Sequence, residues 1–450
     1  MQLPANTELR LQTNTSRKVS FLGGSLINNT RSRSSGVCAR TLCGKVYGFA
    51  SDSDSSDEAV RAVLKSAADN AQFLSTRVGA KPEPLPKVSP QVLRLEADKT
   101  DAEQREYLEL ARAVDEYIAQ KYPSLASRSI TVTADSMEKT LFTDFGAESY
   151  SLSPRCYVYV FLTANTPEGD TVELYDVFGS RGTLRQNFPN PQALFPQIDE
   201  LYEQLMQKAN GIYPDAGTHT CVMTGRLAGM LAHEAVGHTC EADFVLSGSV
   251  AGDNLNKRVA SELVNLVDFA HTLPDGSPAP LPVLCDDEGV PARDAVLIKD
   301  GILTGFMHSR ETARHFGHEL TGSARAYTYS DEPLIRMRNT AILPGKDKLA
   351  DLIAGVEKGY YFTKTNNGQA DITGEFMFGV CMGYEIVNGK IGRALRDTTI
   401  SGVAFDMLKT VDGLSDEMSW EESGFCGKKQ LMPVGLGGPD VRCRVNVGGR

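Results

Sequence analysis

Three runs, SITVTADSMEKTLFTD, CYVYVFLTAN and DTVELYDVFG, follow one another with only short breaks, each alternating apolar with polar positions or dense in β-branched and aromatic residues. A period of two sorts side chains onto the two faces of a strand, and short breaks permit antiparallel neighbours, whereas parallel ones need a long crossover. The runs therefore predict an antiparallel meander. The first fifty residues carry the same pattern, with Leu9, Leu11, Val19 and Phe21 leading to VCARTLCGKVYGFAS. They predict an opening sheet of strands and hairpins.

Helices interrupt these strands. SDSDSSDEAVRAVLKSAADNAQFL offers Ser and Asp N-caps, first-turn acids, and Val60, Val63, Leu64 and Ala67 at helical spacing. Further helices are expected at roughly 101–120 and 196–209. The proline-rich stretch GAKPEPLPKVSPQV cannot continue a helix and reads as an extended connector. Gly211, Pro214 and Gly217 punctuate GIYPDAG, where the main boundary is expected. Beyond it, Asp300-Gly301 and Asn388-Gly389 sit between apolar alternations as hairpin turns. Short helices are expected near 347–358, stopped by Gly359, and near 403–411. The fold class expected is α+β. Residues 1–212 form an N-terminal mixed α/β region with an antiparallel sheet and helices, its subregions of about 1–80 and 98–212 joined by the connector. Residues 213–450 form a C-terminal β-rich domain.

Charge narrows the function. Lys and Arg number 46 against 57 Asp and Glu, with no basic block, which argues against nucleic acid as the primary partner. No run of about 18 apolar residues is present, so a membrane span is not expected. The start MQLPANTELRLQTN lacks a cationic segment followed by an apolar one, and the nine cysteines form no compact framework. A cytoplasmic protein with reduced thiols is expected.

The chemistry concentrates in MLAHEAVGHTCEADF. Helical zinc sites use two imidazoles one turn apart, with a Glu beside the first to take a proton from a metal-activated water. The familiar form is H-E-x-x-H, whose ligands diverge by about 40° around the axis. Here His233, Glu234 and His238 read H-E-x-x-x-H, and five residues at 100° each diverge by about 140°. A regular α-helix cannot aim both rings at one ion. A π-type widening restores the alignment, and Gly237 is a residue that tolerates it, so an irregularity over Ala235 to His238 is predicted. A third ligand is still required. Cys240, Glu241 and Asp243 are candidates by proximity. Cys426 is one by setting: it lies in SGFCGKKQLMPVGLGGPDVR, with Lys428 expected to favour its thiolate. Spacing does not choose among them. Gly427-Lys428 is followed by neither Ser nor Thr, which argues against a phosphate loop.

These residues resemble the TldD/PmbA metallopeptidases. The likeness runs in order through HEAVGH, DDEGVPA (286–292), TGSARAY (321–327), NTAILPG (339–345), TGEF (373–376), VNGKIGR and CGKKQLMPVGLGGP, with GVCARTLCGKVYGFAS similar to the family's first domain. The resemblance implies His233, His238 and Cys426 as Zn²⁺ ligands and Glu234 as the catalytic glutamate, a set carried by the TldD type. It implies a zinc peptidase acting on unfolded or flexible peptides, docked by strand addition, and a homodimer or a heterodimer with a PmbA/TldE-like subunit. A non-catalytic partner subunit with a structural metal and a small-amide hydrolase are the alternatives. His308, Arg325 and Tyr384 are candidates for stabilising the oxyanion.

Overall fold

The computed structural model describes residues 3–78, 84–100 and 102–449. The opening alternation becomes three antiparallel strands, Thr7–Leu22, Ser25–Cys43 and Val46–Asp52. The predicted meander is Ser127–Thr143, Ala147–Asn165 and Thr171–Arg181. Thr7–Leu22 pairs with Ser127–Thr143 and fuses the two sets into one sheet of seven strands. The seventh, Gln91–Leu95, lies parallel to Ala147–Asn165 and was not anticipated. It falls within the segment read as a connector, of which 79–83 lie outside the described residues.

Among the described residues, three long helices cover this sheet. Asp57–Val78 starts where Ser56 Oγ accepts from Ala59 N, and it buries Val60, Val63, Leu64 and Ala67 over Leu9, Val37 and Ala39. Gln104–Lys121 begins three residues later than expected, with Glu106 accepting from the Glu103 amide, while Asp101 is outside the described residues. It and Phe195–Ala209 lay Leu110, Val114, Ile118, Ile198, Leu201 and Leu205 on Val132, Val158, Val160 and Leu162.

After Ala209 the chain passes into a second sheet of eleven strands. Five of them close on themselves: Gly217–Met223, Lys358–Ala370, Glu375–Val387, Thr398–Val403 and Gly435–Val447, the last pairing back to the first. Closure gives each of the five a neighbour on both sides over part of its length and encloses an apolar core. Both Asx-Gly turns make hairpins: Ala295–Lys299 with Ile302–Leu303, and Glu375–Val387 with Lys390–Ala394. The helix expected at 347–358 is only Leu349–Ala354, and Gly355, not Gly359, follows it. Gly359 is a strand residue pressed so close to its neighbour that a Cβ there would lie 2.0 Å from Thr220 O. The last helix is Ala404–Lys409.

The helix Gly225–Leu231 leaves the first strand of the ring and packs on Gly435–Val447 at backbone range. A Cβ on Gly225 would lie 2.0 Å from Gly438 O, and one on Gly229 would lie 2.4 Å from Gly437 N. The glycines of the helix thus admit the strand backbone, and of the VGLGGP glycines Gly438 faces the helix while Gly437 faces Trp420.

The two sheets meet through buried charge. Arg40 pairs with Glu8 at 2.8 Å and reaches Glu288 at 2.7 Å, and Lys139 reaches Asp287 at 2.7 Å. The DDEG turn therefore serves the seam between the two halves. No helix among the described residues is long and apolar enough to cross a membrane.

Candidate metal centre

The helix carrying the His pair does widen. After Gly225–Leu231 the backbone continues as a π-helix over Ala232–Gly237, and His238 N donates to His233 O, five residues back. A tight turn over His238–Cys240 follows. The irregularity begins three residues earlier than predicted. The reason for Gly237 also differs, because its neighbourhood is helical (φ −56°) and it supplies space: a Cβ there would lie 2.0 Å from Met337 Sδ.

The widened turn faces both imidazoles the same way, with ring centroids 5.1 Å apart and planes at 79°. The Cys426 Sγ comes within 3.1 Å of His238 Nε2. Ligand atoms of His233, His238 and Cys426 all lie within 4.8 Å of one another. Of the other candidates, Cys240 is buried in the apolar core. Asp243 pairs with Lys428 at 2.7 Å. Glu241, fully buried, takes His238 Nδ1 at 2.8 Å. When His238 is neutral, Glu241 keeps its remaining proton on Nδ1 and leaves the Nε2 lone pair on the side of the sulfur. Lys428 does not address the thiol as expected: its ammonium is held by Asp243, by Glu241 at 3.2 Å and by Ile335 O at 3.1 Å.

His233 is 1% exposed, and among the described residues neither ring nitrogen has a hydrogen-bond partner. A buried polar group left unpaired costs free energy that a bound partner relieves. Two imidazoles and a thiol are a donor set that suits zinc, with a fourth position left over. The set fits a metal.

Electrostatics divide the three acid–base groups. Burial, together with the charges of His238, Arg336 and Arg325, pushes His233 well below the ordinary imidazole value and keeps it neutral. Burial opposes charge on His238 too, but the Glu241 carboxylate and the Cys426 hydrogen bond outweigh it and raise it to about 10. Burial raises Glu234, against the pull of His238.

Glu234 stands between two cavities. One, of about 370 Å³, is lined by Tyr159, Tyr175, Arg226, Met230 and Phe425 along with His233 and Glu234. The other, of about 520 Å³, is lined by His238, Phe244, Leu334, Ile372 and Lys429 as well as Glu234. Residues 363–368 and 370–372, in the second half of Lys358–Ala370 and just beyond it, line the first and second cavity respectively. Tyr159 and Tyr175 come from the N-terminal sheet, and Arg226 and Lys364 bridge to it through Asp176. Sequence reasoning missed all five, and no spacing signal marks them. The oxyanion candidates lie elsewhere. His308 bonds His318 at 3.0 Å, Tyr384 bonds Gln207 at 2.8 Å, Arg325 donates to Met337 O, and none of the three lines either cavity.

Residues 216–449 match the model of the PmbA/TldA metallopeptidase C-terminal domain, and residues 7–71 that of domain 1. A zinc metalloprotease TldD homolog of Saccharolobus solfataricus is 32% identical over 333 residues, 73% of this chain and 72% of its own length. A metalloprotease of Archaeoglobus fulgidus is 39% identical over 253 residues, 56% of this chain and 57% of its own. Among solved structures, TldE from Thermococcus kodakarensis superposes with a TM-score of 0.73 at 16% identity, covering 98% of this chain and 96% of that one. At that identity the likeness is one of fold.

Proposed function

The chain belongs to the PmbA/TldD metallopeptidase family, and on that premise we propose that it is a zinc-dependent peptidase with His233, His238 and Cys426 as metal ligands and Glu234 as general base. The observation that carries the assignment is the buried His233 ring, unpaired at both nitrogens among the described residues and with a ligand atom within 4.8 Å of the other two donors. When bound, zinc lowers the pKa of a water and polarises the scissile carbonyl. Glu234 accepts the proton of the attacking water and passes it to the leaving amine. Its raised pKa suits the second task, since a readily protonated carboxyl is a better donor near neutrality. Glu241 holds the His238 ring in the tautomer that leaves Nε2 free for the metal.

The cavities on either side of Glu234 support an extended peptide over a small amide. So does the backbone: Gly217–Met223 pairs only with 359–362 of Lys358–Ala370, and the stretch beyond offers an edge on which a substrate strand adds. Main-chain pairing favours unfolded or flexible peptides. We read residues 1–212 and 213–450 as the two domains, with the N-terminal one walling the first cavity. We also propose that the chain works in the cytoplasm as a homodimer or paired with a TldE-like subunit.

Glu234→Gln tests the reading. Peptide hydrolysis falls by about 10²- to 10⁴-fold, while stoichiometric zinc is retained on metal analysis; loss of the metal makes Glu234 a ligand and refutes its role as base.

A further inference from the structure

The hairpin that carries Cys426, Phe425–Lys428 with Gln430–Pro433, belongs to neither large sheet. An isolated pair of strands has little stability of its own. Its placement against the two histidines must therefore come from contacts other than a shared ladder.

Arg336 makes the contacts that reach both strands. Its Nη2 donates to Cys426 O and its Nη1 to Gln430 O, each at 2.7 Å. Arg336 is 0% exposed, and among the described residues no carboxylate pairs with it. The Glu241 charge reaches Arg336 without touching it, and the fixed guanidinium fork suits the bridging of two carbonyls in a way an ammonium cannot reproduce. Arg336 directly follows Leu334–Ile335, and Ile335 O accepts from Lys428 Nζ, so the hairpin is tied to this segment from two directions. Lys428 also meets Glu241, the residue that orients His238.

We propose that Arg336 is the positioning residue for Cys426: by gripping the carbonyls of Cys426 and Gln430 together, it sets the reach of the sulfur toward the metal. The inference rests on the assignment of Cys426 as a ligand. Arg336 touches neither substrate nor metal, and it acts through the backbone of the residue it holds.

Cobalt(II) titration of the metal-free protein separates the possibilities, because a thiolate ligand produces a near-ultraviolet charge-transfer band that imidazoles do not. Arg336→Lys keeps the charge but cannot span both carbonyls. It is expected to weaken cobalt affinity about 10- to 100-fold, as loss of an outer-shell partner does, and to diminish the band while circular dichroism stays as in the wild type. Wild-type affinity with an undiminished band in R336K overturns the proposal. Cys426→Ser serves as the reference: an unchanged band there refutes the ligand assignment, and the positioning role falls with it. Should R336K not fold, a crystal structure of the cobalt-loaded wild type decides, since loss of the Arg336 bond to Cys426 O or to Gln430 O on metal binding also overturns the proposal.

Discussion

Cys426 Sγ lies 3.1 Å from His238 Nε2 across 188 residues of sequence. The pair joins the end of a widened helix to a hairpin outside the main sheets. If both are ligands, Cys426→Ser weakens zinc binding by more than the roughly 100-fold upper range of outer-shell changes. Competition with a chromophoric chelator measures it, and wild-type affinity in the variant contradicts the assignment.

Glu241 predicts a contrast between two substitutions. Glu241→Gln keeps an oxygen for His238 Nδ1 and is expected to lower metal affinity only modestly. Glu241→Ala removes that acceptor and is expected to cost about 10- to 100-fold. Equal losses in both variants show that charge, not ring orientation, is what Glu241 contributes. The same titration reads both.

Gly237→Ala tests why glycine occupies the π turn. If space is the reason, the added methyl collides with Met337 and destabilises the fold by about 1–3 kcal/mol, the usual range for overpacking. Met337→Ala should then cost less in the Gly237→Ala background than alone, giving a coupled cycle in urea unfolding. Strict additivity points to the backbone instead.

Lys139 supplies a pH dependence away from the metal centre. Burial, against the attraction of Asp287, lowers its pKa from the ordinary 10.5 to about 8. Between these values the unfolded chain holds a proton that the folded one has released, so this residue makes stability rise with pH across that window. The stability of the wild type relative to Lys139→Met should therefore increase from pH 8 toward pH 10 in urea titrations. A constant or falling difference shows that Lys139 stays charged in the fold.

Local order was legible wherever one segment carried its own reason. The meander, the Asx-Gly hairpins and the cap of the first helix follow from periodicity and turn chemistry. Short elements were harder: the Leu349–Ala354 helix ended early because Gly359 was needed as a strand residue against Thr220.

For the candidate centre, the sequence by itself determined that His233 and His238 could share an ion only if the helix were distorted, because the residue count fixes their angular divergence. Only tertiary structure decided the rest. It set Cys426 against His238, turned Glu241 and Lys428 from candidate ligand and thiolate partner into supports, and brought Tyr159 and Tyr175 from the other sheet to one side of Glu234. Those relations join residues far apart in the chain through closure of a strand ring and the docking of a separate hairpin, and no local spacing encodes where such surfaces meet.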